Sequence, residues 1–165
     1  MANKQNFTPE EWAKILESMM LAGMAVSAAE PSGLWGTVKE AFASRSAIVA
    51  SKHSASNELV QAAIAELETR EGRSTVQGAL RNLVAGAEPP EIVQRALDNL
   101  REVSALLDAK APGDAAAFKD VLRGISQKVA EASVEGGLLG LGGHRVSDHE
   151  KATLADIEKA LGTTT

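Results

Sequence analysis

Apolar residues recur at three- and four-residue spacing along most of the chain, the pattern of helices that bury one face. The first such segment begins at Thr8-Pro9-Glu10-Glu11 and ends at Glu30-Pro31. Thr8 and Glu11 have the spacing of a capping box, and Pro9 suits the first helical position. The apolar positions of this segment form one broad face, so we expect the helix to be largely buried. They are Trp12, Ile15, Leu16, Met19, Met20, Gly23 and Val26.

The same spacing predicts six further helices. They cover residues 34–48, 57–70, 74–86, 89–111, 114–135 and 147–162. Capping boxes mark two of the starts, at Ser74 with Gln77 and at Ser147 with Glu150, and Gly162 marks the last end. No segment alternates as a strand does, so the sequence predicts an all-α fold of about seven helices. We expect one domain over residues 1–165, with flexible ends at 1–7 and 163–165 and a core formed by the first, fifth and sixth helices.

Three glycines lie inside predicted helices, at Gly23, Gly78 and Gly124. A glycine in a helix interior costs about 1 kcal/mol relative to Ala. We therefore expect close helix crossings at these positions.

Two segments of the chain resemble each other. MLAGMAVSAAEPSGLWG ends the first helix, and ISQKVAEASVEGGLLGLGG ends the sixth. Each is an Ala-rich helix that ends at an acid, Glu30 or Glu135, before glycines and leucines. A duplication into two pseudo-repeated halves and a convergent way of ending a helix both account for the pattern.

Composition narrows the class of protein. Apolar residues make up 44% of the 165 residues but aromatics only 3%, so the core is built mainly from Ala, Leu, Val and Ile. A net charge of -5 without a basic run argues against nucleic-acid binding. The absence of cysteine excludes disulfides, thiolate metal sites and a Cys nucleophile. No apolar run suits a signal peptide or a membrane span, so we expect a cytoplasmic protein.

The stretch EGGLLGLGGHRVSDHE, Glu135 to Glu150, is rich in glycine and leucine. It is not a Walker loop, because Gly142 is followed by Gly143 and His144 rather than by Lys and Ser or Thr. Its glycine order also differs from the dinucleotide fingerprint. The sequence favours a corner between helices whose leucines enter the core. The alternative is an exposed apolar knob that meets a partner subunit or a membrane surface. The leucines are Leu138, Leu139 and Leu141.

Candidate chemistry near this stretch is limited to metal binding. His144, Asp148 and His149 converge only if His144 folds back from the loop, since adjacent helical residues point about 100° apart. Glu131 and Glu135 are four apart on the sixth helix and could face Glu30 if the two Ala-rich helices pack together, and clustered acids need a cation or a proton. The di-iron, GxSxG and SxxK motifs are absent, so no catalytic residue is predicted.

FTPEEWAKILESMMLAGMAVSAAEPSGLWG and EGGLLGLGGHRVSDHEKATLADIEKALG resemble small bacterial all-helical proteins of unknown function. Glu135-Gly136 and Val146-Ser147-Asp148-His149-Glu150 are more distantly similar to the tellurite-resistance TerB-like family. That family is a seven-helix bundle of pseudo-repeated halves, linked to bacterial stress responses and to a bound divalent cation. The resemblance implies that Glu30, Glu135 and Glu150 match its acids. This chain departs from the family in having Glu135 for the usual Asp and an insertion before Val146.

These observations indicate a bacterial, cytoplasmic helical domain that acts without catalysis. We expect it to work by protein–protein association, as a homo-oligomer or with a protein partner, in a stress-related role. The alternative is a TerB-like protein that binds a divalent cation through Glu30, Glu135, His144, Asp148 and Glu150. A weaker alternative is a small enzyme with an unrecognised site. We expect no other cofactor, no nucleic-acid partner and no transmembrane segment, and peripheral contact with a membrane stays open.

Overall fold

The chain folds into helices throughout the ranges that the structure describes. The structure is a computed structural model that describes residues 2–29, 57–135 and 146–162, with the backbone alone for residues 132–135. Six α-helices and no strand lie within these ranges, so the predicted all-α fold is confirmed. They are α1 (Pro9–Ala29), α2 (Glu58–Glu68), α3 (Arg70–Val84), α4 (Pro89–Lys110), α5 (Pro112–Glu135) and α6 (Asp148–Leu161). The helix predicted over residues 34–48 lies outside the described residues.

Helix α1 begins where the capping-box pattern predicts. The Thr8 backbone N–H donates to Glu11 Oε2 at 2.8 Å, and Thr8 Oγ1 accepts from the Glu11 backbone N–H at 3.2 Å. These reciprocal bonds satisfy two of the backbone donors that a helix start leaves without partners.

The predicted boundary between the third and fourth helices is wrong. The chain turns at Thr69, and α3 already begins at Arg70, so Ser74 lies inside the helix rather than at its cap. Thr69 Oγ1 accepts from the Gly72 backbone N–H at 3.0 Å and donates to the Glu66 carbonyl oxygen at 2.7 Å. One threonine therefore ends α2 and caps α3.

A glycine at position 72 allows this corner to close. A Cβ added to Gly72 would lie 2.1 Å from the Glu66 carbonyl oxygen, closer than any real contact of this kind. The prediction of close crossings is wrong for Gly78 and Gly124, because an added Cβ would meet nothing within 4 Å at either position. Gly23 is buried in α1.

Helix α1 occupies the centre of the fold. It contacts each of the other five helices, most extensively α4 and α5. All eight residues from Leu21 to Ala28 are buried, so this half of the helix is covered on every side. The predicted core of the first, fifth and sixth helices is confirmed as α1, α4 and α5.

Two contacts establish the directions of the central helices. Lys110 Nζ, at the end of α4, donates to Glu11 Oε2, at the start of α1, at 2.6 Å. Helices α1 and α4 are therefore antiparallel. One residue, Ala111, separates α4 from α5, and Lys119 Nζ reaches back to both carboxylate oxygens of Asp108 at 2.7 Å. Helix α5 thus returns beside α4 and runs parallel to α1.

The segment Ala2–Phe7, here called the N-terminal strap, packs before α1. Ala2 and Phe7 are buried, and residues Lys4–Asn6 form a single 3-10 turn. The Ala2 backbone N–H donates to Asp114 Oδ2 at 2.6 Å. The sequence indicated a flexible terminus over residues 1–7, and residues 2–7 have these defined contacts.

Asp114 connects the strap to the start of α2. Its second oxygen, Oδ1, accepts from Asn57 Nδ2 at 2.7 Å. Asn57 Oδ1 in turn accepts from the backbone N–H groups of Leu59 and Val60 at 3.0 and 3.2 Å, which caps α2. One buried carboxylate therefore joins three elements that are distant in sequence.

We predict opposite effects for alanine at the two glycines of α3. Gly72→Ala should lower the free energy of unfolding by about 1 to 3 kcal/mol, because the new Cβ forces the Glu66 carbonyl to move. Gly78→Ala should raise it by about 0.5 to 1 kcal/mol, since the position is open and Ala favours the helix. Chemical denaturation measures both changes, and equal effects would contradict the corner geometry.

Candidate functional site

The start of α6 carries the described part of the predicted cation site. Ser147 caps the helix as predicted: its Oγ accepts from the Glu150 backbone N–H at 3.1 Å. Glu150 Oε2 accepts from the Ser147 backbone N–H at 2.8 Å. The other end closes at Gly162, which has the left-handed φ of 68° that glycine adopts without strain. Both predicted boundaries of this helix are confirmed.

The two carboxylates at this helix start lie in different surroundings. Glu150 is 2% exposed, and its carboxylate takes part in the capping box. The side chain of Asp148 is 99% exposed and accepts from Lys151 Nζ at 3.2 Å. Residues two apart on a helix point about 200° apart, so one carboxylate faces the interior while the other faces water. The structure does not bring these two carboxylates together.

The remaining predicted ligands fall largely outside the described residues. Glu30 and His144 lie outside them, and Glu135 is described as the last backbone position of α5 without its side chain. Leu138, Leu139 and Leu141 also lie outside, so their burial stays a prediction. Among the residues whose side chains are described, no group of three or more His, Asp or Glu is arranged to hold a metal ion.

The helix directions nevertheless relate two of the predicted positions. Helices α1 and α5 run parallel from the same end of the bundle, since Glu11 lies beside Lys110 and α5 starts two residues after Lys110. They therefore finish at the same opposite end, α1 at Ala29 and α5 at Glu135. Glu30 directly follows Ala29 in the chain.

Helix α6 returns from this end. Twelve residues separate it from the end of α5, and its last residue lies beside α4, where Ser104 Oγ donates to the Leu161 carbonyl oxygen at 3.1 Å. Ser104 lies near the carboxyl end of α4, the end at which α1 begins. The start of α6, with Ser147 and Glu150, is therefore directed toward the end where α1 and α5 finish.

In the described residues, the carboxyl groups whose pKa values are shifted lie away from the predicted cation site. The Lys110 ammonium, with the Thr8 backbone N–H, lowers the pKa of Glu11. Burial raises the pKa of Glu17, against the opposing charge of Lys14. The Ala2 backbone N–H lowers the pKa of Asp114, and the Asn57 amide acts in the same direction against desolvation. These three carboxyl groups lie on helices α1 and α5.

Sequence reasoning missed the buried carboxylate of Asp114. The residue follows Pro112-Gly113 and has the pattern of an acid in the first turn of a helix, which is usually solvated. Its partners are Asn57 and Ala2, separated from it by 57 and 112 positions. The one local signal was Asn57, an N-cap residue type placed directly before a helix.

Comparison of the chain with models of known families, with curated proteins and with solved structures finds no match. None of the helices in the described ranges is long and apolar enough to span a bilayer.

We predict that the cap at Ser147 stabilises the fold and that Ser74 does not. Ser147→Ala should lower the free energy of unfolding by about 0.5 to 2 kcal/mol, because Glu150 loses its reciprocal partner. Ser74→Ala is the matched control: this exposed serine lies inside α3, where Ala is slightly preferred. Denaturation midpoints measure both, and a midpoint unchanged by Ser147→Ala would contradict the role of the cap.

Proposed function

We propose that the protein acts without catalysing a reaction, by associating with a second copy of itself through α3. The observation that carries this proposal is the incomplete burial of the apolar face of that helix. Val76 is the one large apolar side chain of α3 that is buried. Leu80, Leu83 and Val84 continue the same stripe and pack against the core, yet each stays partly exposed to solvent.

The neighbouring residues extend this boundary. Ala87 and Val93 are also half-buried apolar residues, and they follow α3 into the start of α4. Arg95 Nη1 donates to the Leu83 carbonyl oxygen at 2.6 Å, which holds the end of α3 against α4. This apolar stripe lies on a helix that is fixed to its neighbour, and an arginine lies at the edge of the stripe. Such a composition is typical of association surfaces.

A second copy of this chain is the partner that we consider first, because symmetric homo-oligomers are common. Most soluble oligomers are homo-oligomers, and a two-fold axis places the same stripe on both sides of the contact. Each copy would then cover the half-exposed leucines of the other. The cytoplasmic location and the stress-related role belong to this proposal through the resemblance to bacterial helical proteins and to the TerB-like family.

Divalent-cation binding of TerB-like type is the second candidate. It is supported by the parallel course of α1 and α5, which brings Ala29, the residue before Glu30, and Glu135 to the same end of the bundle. Thermal melting with Ca²⁺, Mg²⁺ and Zn²⁺ separates it from the first candidate, since a ligand at 100 times its Kd adds about 2.7 kcal/mol of stability. The added stability should disappear in Glu135→Gln and persist in Asp120→Asn, an exposed acid of α5 away from its carboxyl end.

We predict that sedimentation will show a species heavier than the 17.2 kDa monomer, and that Leu83→Gln will reduce its mass. The substitution places a polar group at the centre of the stripe, where it would be desolvated on association. Leu154→Gln is the matched control, because Leu154 is a half-buried leucine on a different helix, α6. Circular dichroism verifies that both variants stay helical.

Two outcomes would contradict the self-association proposal. One is a monomer mass for the unsubstituted chain at all concentrations. The other is an equal loss of mass in the Leu83 and Leu154 variants, since that would report weakened folding rather than a lost contact on α3.

A further inference from the structure

The N-terminal strap is bound directly to one end of α2 and shares a partner on α5 with the other end. At the start of α2, the Ala2 N–H and the Asn57 amide share the two oxygens of Asp114. At the other end, Lys4 Nζ lies 3.0 Å from both carboxylate oxygens of Glu66. The Lys4–Glu66 ion pair is therefore the direct link through which the strap is expected to move with α2.

Helix α2 is in turn joined closely to α3. Thr69 alone separates them, and it bonds to Glu66 on one side and to Gly72 on the other. Arg73 Nη1 also reaches back across the corner to the Glu68 carbonyl oxygen at 2.7 Å. Motion of α2 therefore requires motion of α3.

The attachment of these three elements to the remaining helices is concentrated at a few points. Asp114, on α5, is 5% exposed and holds both the strap and the cap of α2. Phe7 adds a ring contact with Trp12 of α1, with 6.0 Å between ring centroids. Four side chains of α2 are buried in the core: Leu59, Val60, Ala63 and Ile64. Helix α3 adds the buried Val76 and the bond from Arg95 of α4 to the Leu83 carbonyl oxygen.

We propose that the strap, α2 and α3 form one cooperative unit that opens from the bundle of α1, α4, α5 and α6, with Asp114 as its latch. Proteins open in such contiguous units, and units with few buried contacts open most easily. The bonds to Asp114 are charge-assisted, which makes them stronger than bonds between neutral groups. On opening, the carboxylate becomes hydrated, so no buried charge is left without partners.

This inference is independent of the proposed self-association. Opening the unit uncovers the flank of α1 that α2 and α3 cover, together with the apolar side chains of α2. In this way the protein would expose apolar surface only in its open state, whatever partner it binds.

Native-state hydrogen exchange tests the unit directly. In the unsubstituted chain at low denaturant, amides of α2 and α3 should share one opening free energy, below that of amides in α4 and α5. Asp114→Asn should then speed exchange in α2 and α3 by roughly 10-fold or more, the effect expected for loss of a charge-assisted bond, and leave α4 and α5 unchanged. Asp120→Asn is the control, because this exposed acid of α5 contacts only its neighbour Arg123 among the described ion pairs.

Trp12 supplies an independent readout of the strap. In a Trp35→Phe chain, Trp12 is the only tryptophan, and Asp114→Asn should make its fluorescence more accessible to acrylamide. The proposal is wrong if Asp114→Asn speeds exchange equally in all six helices, which would be global destabilisation. It is also wrong if α2 and α3 exchange with different opening free energies, or if Asp114→Asn leaves their exchange unchanged.

Discussion

The burial of all eight residues from Leu21 to Ala28 of α1 is the constraint on which the rest of the fold depends. Helices can close around it because small residues alternate with larger ones; the small ones are Ala22, Gly23, Ala25, Ser27 and Ala28. The buried hydroxyls are satisfied inside the helix, since Ser18 Oγ donates to the Ile15 carbonyl and Ser27 Oγ to the Gly23 carbonyl. No neighbouring helix has to supply a partner for these two hydroxyls, so α4 and α5 present apolar side chains to α1.

The arrangement around α1 determines where function can reside. Helix α4 runs antiparallel to α1 and α5 parallel to it, so the carboxyl ends of α1 and α5 meet one end of the bundle. The strap, Asn57 and Asp114 lie at the other end. Helix α3 packs against the side of the bundle and buries little of its own surface. Cation binding and strap release would therefore use opposite ends of the bundle, whereas self-association would use α3, which belongs to the opening unit.

The sequence predicts those features that local chemistry controls. The caps at Thr8 and Ser147 and the core of α1, α4 and α5 follow from spacing along single helices. The start of α3 was missed because Thr69 has no Glu or Gln three residues later, whereas Ser74 has the expected partner in Gln77. The latch at Asp114 was missed because its partners are remote in sequence. Of the candidate cation site, the capping role of Glu150 could be read from its spacing to Ser147, whereas its burial depends on tertiary packing.

The enclosure of α1 is tested most directly by enlarging a side chain inside it. Ala25 is fully buried, so Ala25→Leu should lower the free energy of unfolding by about 1 to 3 kcal/mol through overpacking. Ala109→Leu, at an exposed position of α4, should leave stability within about 0.5 kcal/mol of the parent. Chemical denaturation of the two variants should therefore show a large loss for the first and almost none for the second. Equal stability of both variants would contradict a central helix covered on every side.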